Sequence, residues 1–175
     1  DDDDDGDDDD IHFERLHKIL NSSHNQHFRA LELGSGAVGL SGFALASLLH
    51  HRKTIEMNQQ QQHDNANANP HQVILTDNDF EILTQLELNL EQNSAHFQRN
   101  VTVKVQRLDW GEDLINHSIF QGNQEKINLV IGSELVYSND TATACASCVK
   151  TLLERYPELV VFIVQITDRP GWDLF

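Results

Sequence analysis

Residues able to do chemistry collect in a few short stretches. The first reads Glu32-Leu33-Gly34-Ser35-Gly36-Ala37-Val38-Gly39. Glycines let a backbone turn sharply and approach a ligand closely, and the N-terminus of a following helix favours negative charge. Gly34, Gly36 and Gly39 fit the GxGxxG spacing of a dinucleotide-binding turn. The alternative is a tight strand–helix turn with no ligand. Glu32 has no task against a pyrophosphate. It suits a cation, and the cationic end of S-adenosylmethionine would meet it there, directly or through water. Asp77 ends the apolar run at 73–76 and could accept both ribose hydroxyls of either cofactor. It could equally cap the next helix. Leu108-Asp109-Trp110-Gly111 places a carboxylate and an aromatic ring where an adenine could use both, or else a turn acid beside a buried Trp. In Gly132-Ser133-Glu134-Leu135-Val136-Tyr137, small residues at 132 and 133 leave space for a cofactor. Glu134 and Tyr137, three apart, would face one cleft and orient an amine nucleophile. The alternative there is a helix-start acid and a partly buried Tyr.

The elements around these stretches agree with a site at strand ends. Short apolar runs at 29–33, 73–76, 101–108, 127–133 and 159–166 read as strands, the last two as fully buried ones. Amphipathic segments at 11–20, 40–50, 80–92 and 141–155 read as helices. Alternating helices and buried strands predict an open, mostly parallel α/β sheet with helices on both faces. Ligands in such sheets bind beyond the carboxyl ends of the strands. The Asp-rich residues 1–10 are expected to be a disordered tail, and the Gln/Asn-rich residues 56–71 a flexible insertion in the domain of 11–175.

Composition bounds the function. The 175 residues hold 28 acidic and 12 basic side chains, a net charge of −16. Nine of the acids lie in residues 1–10, so residues 11–175 carry 19 acids against 12 bases. That balance leads to the expectation of no nucleic-acid partner. No apolar run reaches the roughly 20 residues of a spanning helix, and no membrane association is expected. No basic region followed by an apolar one opens the sequence, and the two cysteines make no disulfide framework. Both point to a cytoplasmic and also nuclear setting. Cys145 and Cys148 form a CxxC inside a predicted helix, where two small helix-face residues are expected and no metal.

Taken in order, LELGSG (31–36), LTDND (75–79), LDWG (108–111) and LVIGSELVY (129–137) resemble the seven-β-strand methyltransferases, and more narrowly methyltransferase family 16. The resemblance covers residues 29–166. It implies a Rossmann-like fold, S-adenosyl-L-methionine as cofactor, and transfer of its methyl group to a protein side chain, lysine above all. It places Glu32, Gly34, Ser35 and Gly36 at the methionine part of the cofactor and Asp77 at the ribose. Asp109 and Trp110 lie by the adenine, Ser133 lines the pocket, and Glu134 and Tyr137 form the acid-x-x-Tyr motif that faces the substrate amine. A protein substrate follows as the expected partner, with oligomeric state open.

The sequence departs from the family at three places. Val38 stands where the family has its third glycine, unless the turn is offset to Gly39. The chain stops after the fifth strand, where the family has two more. The segment ahead of the first strand is hardly recognisable in residues 11–27. Other readings are a non-catalytic module of the same fold, a nicotinamide-dependent oxidoreductase, and a nucleic-acid methyltransferase. The oxidoreductase lacks a hydride-transfer constellation. The nucleic-acid enzyme would want an Asn or Asp, two prolines and an aromatic after the fourth strand, where this chain reads GSELVY, with no proline.

Overall fold

The computed structural model describes residues 27–59, 70–97, 100–121, 126–166, 168 and 171. Strands β1 (Arg29–Leu33), β2 (His71–Asp77), β3 (Val101–Arg107), β4 (Leu129–Ser133) and β5 (Val160–Val164) form one sheet in the order β3-β2-β1-β4-β5. Every neighbouring pair is parallel. Helices α1 (Leu40–Gln59) and α2 (Phe80–Asn93) follow β1 and β2, and α3 (Asn139–Arg155) follows β4. The chain works outward from β1 to β3, then returns to lay β4 on the other side of β1. Hence β1 and β4 flank the switch point, where an open α/β sheet leaves a crevice.

Parallel strands buried on both faces need two cores, and the apolar runs supply them. On one face Ala30, Val73, Leu75, Leu129 and Ile131 pack with Ala46, Leu49, Leu83, Leu86 and Phe97. On the other, Leu31, Leu33, Ile74 and Val130 pack with Ala142, Cys145, Cys148 and Leu152 of α3, and with Leu114, Ile119 and Phe120. Each fully buried Leu or Ile contributes roughly 1.5–3 kcal/mol. Burial pushes the Cys145 and Cys148 thiols up to about 12. Both cysteines are core residues of α3, as expected.

Some boundaries differ from the sequence reading. Helix α1 runs to Gln59, past His50 and into the first residues of the expected insertion. The reason is local: Glu56, Met57, Gln59 and their neighbours include no breaker, and helix-forming residues continue a helix that is already nucleated. At the other end His71 already belongs to β2, where Phe28 N–H donates to its Nδ1 at 3.2 Å. Strand β5 is half-buried rather than fully buried, because it forms the sheet edge. Residues 1–10 and the helix expected at 11–20 lie outside the described residues. Among the described residues, no helix is long and apolar enough to cross a membrane.

Candidate functional site

The glycine turn after β1 is a built structure. Gly34, Gly36 and Gly39 all sit at φ near +60°, the left-handed region, which side chains with a Cβ adopt at a cost. Their surroundings differ. A Cβ on Gly39 would come within 2.7 Å of Leu86 Cδ2, so this glycine lets the turn pack on α2. A Cβ on Gly34 would lie 3.0 Å from Leu135 Cδ2 and 3.4 Å from Trp110 Cζ2. A Cβ on Gly36 would meet none of the described residues within 4 Å. Gly36 therefore borders open space at the strand ends. The turn is offset: Gly39 takes the close-packed place, and Val38 points outward at 64% exposure.

Hydrogen bonds tie this turn to β2. Ser35 N–H donates to Thr76 O at 2.7 Å, Thr76 N–H donates to Ser35 Oγ at 3.0 Å, and the Thr76 hydroxyl donates to Glu32 O at 2.6 Å. Asp77 accepts from Gly36 N–H through Oδ2 and from Asp79 N–H through Oδ1, both at 3.2 Å. The cap of α2 is Asp79, whose Oδ1 accepts from Glu81 N–H at 2.7 Å and Ile82 N–H at 3.4 Å. Asp77 is thus not the helix cap. It stands at the end of β2 beside the turn, and its own carbonyl accepts from Leu108 N–H at 2.9 Å.

Glu32 is the buried charge of the site, 3% exposed. Burial holds its carboxyl above the usual carboxylate range, against the pull of hydrogen bonding from Ser35, the Gly42 backbone and Ser41. Its Oε2 has no hydrogen-bond partner among the described residues. A buried acceptor left unpartnered costs about 1–3 kcal/mol, more if charged. A cation or donor arriving at this carboxylate removes that cost.

Asp109 is engaged within its own loop: Oδ1 accepts from Gly111 N–H at 2.9 Å and Oδ2 pairs with Arg107 at 3.3 Å. Arg107 also pairs with Glu112 at 2.7 Å and lies 5.7 Å from the ring centre of Phe80. Trp110 is half-buried against the core and borders Gly34. The sequence reading did not foresee Arg107 as the partner of Asp109.

After β4, Ser133 is exposed. The space expected beside Gly132 is taken, since Leu135 Cδ1 would lie 2.5 Å from a Cβ there. Leu135 fills the crevice between the ends of β1 and β4, because its isobutyl group is the nearest apolar side chain to two bare glycines. Glu134 has φ 56°, the one non-glycine positive φ among the described residues. Its Oε1 accepts from Ile166 N–H at 2.8 Å. Tyr137 stands 61% exposed. The structure brings the turns after β1, β2 and β3 together through Asp77, Ser35 and Trp110. Glu134 is joined instead to the end of β5.

The family model described as lysine methyltransferase, methyltransferase family 16, matches residues 9–170. The chain belongs to this family. S-adenosylmethionine is the cofactor this membership implies. Among solved structures, the chain is similar to the METTL16 MTase domain at 12% identity and a TM-score of 0.53, covering 85% of this chain and 48% of that one. It is also similar to the human methyltransferase 10 domain containing protein, at 14% identity and a TM-score of 0.45, covering 85% and 60%. The first likeness shows the Rossmann-like methyltransferase fold, and this methyltransferase chain spans about half the length of the METTL16 domain. No curated protein sequence matches.

One expectation is corrected. A protein partner to the exclusion of nucleic acid does not stand: METTL16, whose MTase domain shares this fold at a TM-score of 0.53, is also solved as a catalytic domain in complex with the MAT2A 3′UTR hairpin 1. The physical reason is that net charge is a sum over the whole chain. Even the 19 acids against 12 bases of residues 11–175 say little about how charge is spread on the face that meets a substrate.

The residues present fit S-adenosylmethionine. Gly36 borders open space among the described residues, Asp77 ends the neighbouring strand, and the buried Glu32 Oε2 lies against Gly42 in the first turn of α1, without a partner among the described residues. A sulfonium-bearing, amine-bearing ligand offers positive charge that would favour the ionised form of Glu32, which burial disfavours.

Proposed function

We propose that this methyltransferase acts on an amine nitrogen, the side-chain amine of lysine, with Glu134 and Tyr137 at the acceptor and Glu32, Gly34, Ser35, Gly36, Asp77, Asp109, Trp110 and Ser133 at the cofactor. The observation that carries the reading is the backbone of Glu134. An acidic residue held in the left-handed region just past the end of β4, one of the two strands flanking the switch point, is strained where strain usually serves a site. The family's description as lysine methyltransferase supports the amine.

Bound S-adenosylmethionine would supply an activated methyl group to the acceptor nitrogen, the S–CH3 electron pair going to sulfur as the N–CH3 bond forms. The chain's own work is positioning and desolvation. A lysine amine has an ordinary pKa of about 10.4 and must lose a proton to attack. Glu134 attracts the incoming ammonium, and Tyr137, exposed beside it in sequence, aligns the nitrogen as the proton departs to solvent. Glu32 would compensate the positive end of the cofactor, and Asp77 would accept from the ribose hydroxyls. Trp110 and Asp109 border the adenine.

The test is transfer of labelled methyl to poly-L-lysine and, in parallel, to a hairpin RNA. The expected result is label on lysine nitrogen, lost in Glu134→Gln and Glu134→Ala while S-adenosylhomocysteine binding is retained. Label on the RNA alone overturns the lysine reading. Equal loss of binding and transfer in both variants makes Glu134 structural.

A further inference from the structure

We propose that Gln165 is a positioning residue for this methyl transfer: its side-chain amide clamps the backbone of Val136 and so fixes the loop that carries Glu134 and Tyr137. The inference rests on the acceptor role given above to that loop.

Val136 is fully buried, so water cannot serve its N–H and C=O, and each needs a protein partner. Both find it in one side chain. Val136 N–H donates to Gln165 Oε1 at 3.0 Å, and Gln165 Nε2 donates to Val136 O at 2.8 Å. A primary amide is suited to this task, because it offers a donor and an acceptor side by side in one plane. It does here what a neighbouring strand would do, at a point where β4 has ended and the loop has turned away.

The clamp has company on the same side. Glu134 N–H donates to Val164 O at 2.9 Å, and Ile166 N–H donates to Glu134 Oε1 at 2.8 Å. Gly171, at φ 89°, packs so closely on the start of α3 that a Cβ would lie 2.6 Å from Ser138 O. The acceptor loop is therefore fastened to the end of β5 at consecutive points, while the glycine turn is fastened to β2. The cofactor side and the acceptor side are held by separate hydrogen-bond sets. A left-handed Glu134 persists only where its surroundings over-determine it. Two of these four bonds come from Gln165. Its position also stands out in the sequence, as the polar residue in LVVFIVQI (159–166).

Loss of the clamp should therefore free the acceptor loop and leave the cofactor turn intact. The experiment compares wild type, Gln165→Ala and Gln165→Glu in the full chain. Glutamate keeps the acceptor for Val136 N–H and loses the donor to Val136 O. Three readouts are taken: amide hydrogen exchange at Val136, titration with S-adenosylhomocysteine, and kcat and KM for methylation of poly-L-lysine. In Gln165→Ala, Val136 exchange and the loss of kcat/KM should each reach about tenfold, the factor expected for a lost buried hydrogen bond. The S-adenosylhomocysteine affinity should stay within about twofold. Gln165→Glu sets a carboxylate oxygen against Val136 O and should lose at least as much, and it carries the comparison should the alanine variant not fold. Unchanged Val136 exchange, or affinity and transfer falling together, overturns the clamp alone. A wild-type protein that binds S-adenosylhomocysteine and leaves poly-L-lysine unmethylated overturns the lysine reading, and this inference with it.

Discussion

Replacing Gly39 and Gly36 in turn by alanine separates packing from ligand space within one loop. Both residues have φ near +60°, so each alanine bears the left-handed penalty of about 1–2 kcal/mol. Their neighbourhoods then part. The new methyl at 39 would lie 2.7 Å from Leu86 Cδ2, 3.2 Å from Phe43 Cε2 and 3.3 Å from Leu75 Cδ1. Leu86 and Leu75 are fully buried and cannot retreat, so overpacking adds about 1–3 kcal/mol. Gly39→Ala should therefore lose about 3 kcal/mol of stability, a fall in Tm of roughly 10 °C for a chain of this size. Gly36→Ala meets none of the described residues within 4 Å and should lose only the backbone share, roughly 5 °C. Ligand binding should reverse the order: the methyl at 36 enters the space assigned to the cofactor and weakens S-adenosylhomocysteine binding by at least about tenfold. Thermal unfolding and calorimetric titration read both. Equal Tm shifts would refute the packing argument, and unimpaired binding in a folded Gly36→Ala would refute the placement of the ligand.

Other outcomes follow from buried groups. Glu32→Gln removes a buried carboxyl whose Oε2 has no partner among the described residues, so Tm should rise by a few degrees while S-adenosylhomocysteine affinity falls; a fall in both would make Glu32 a structural acid. His71 is buried and accepts the Phe28 N–H, and burial, with Lys53, His27 and Arg52 nearby, lowers its pKa from 6.5 to about 4. The unfolded chain then binds the proton more readily, so this contribution to stability is complete above about pH 6.5 and fades as pH falls toward 4, up to ~3 kcal/mol. Denaturant unfolding across that window should show the slope, and His71→Phe should flatten it. The Cys145 and Cys148 thiols, pushed up to about 12 by burial, should resist a thiol reagent at pH 8 until the protein unfolds; rapid native labelling would contradict their packing.

Much of the fold was legible because parallel strands buried on both faces leave continuous apolar runs. RALEL (29–33), LVIGS (129–133) and their helices were readable for that reason. The extension of α1 to Gln59 was not, since glutamines carry no apolar periodicity and low complexity hid good helix formers. At the site, glycine spacing announced the turn, and the structure showed that Gly39 rather than position 38 needs the missing Cβ. Asp77 and Asp79 compete for the same capping role on paper; only backbone geometry separates them. Longer-range partners stayed hidden. Gln165 meets Val136 across 29 positions of sequence, and Leu135 fills the crevice because two glycines from different strands leave it room. No local pattern encodes such encounters.

The central claim is that the strand ends around Glu32, Gly36 and Asp77 hold S-adenosylmethionine. Calorimetric titration of the folded chain with S-adenosylhomocysteine, beside Asp77→Ala with circular dichroism on both, tests it most directly. The account predicts binding at one site per chain, weakened by the substitution without loss of fold. A folded wild-type chain that takes up no ligand would contradict it.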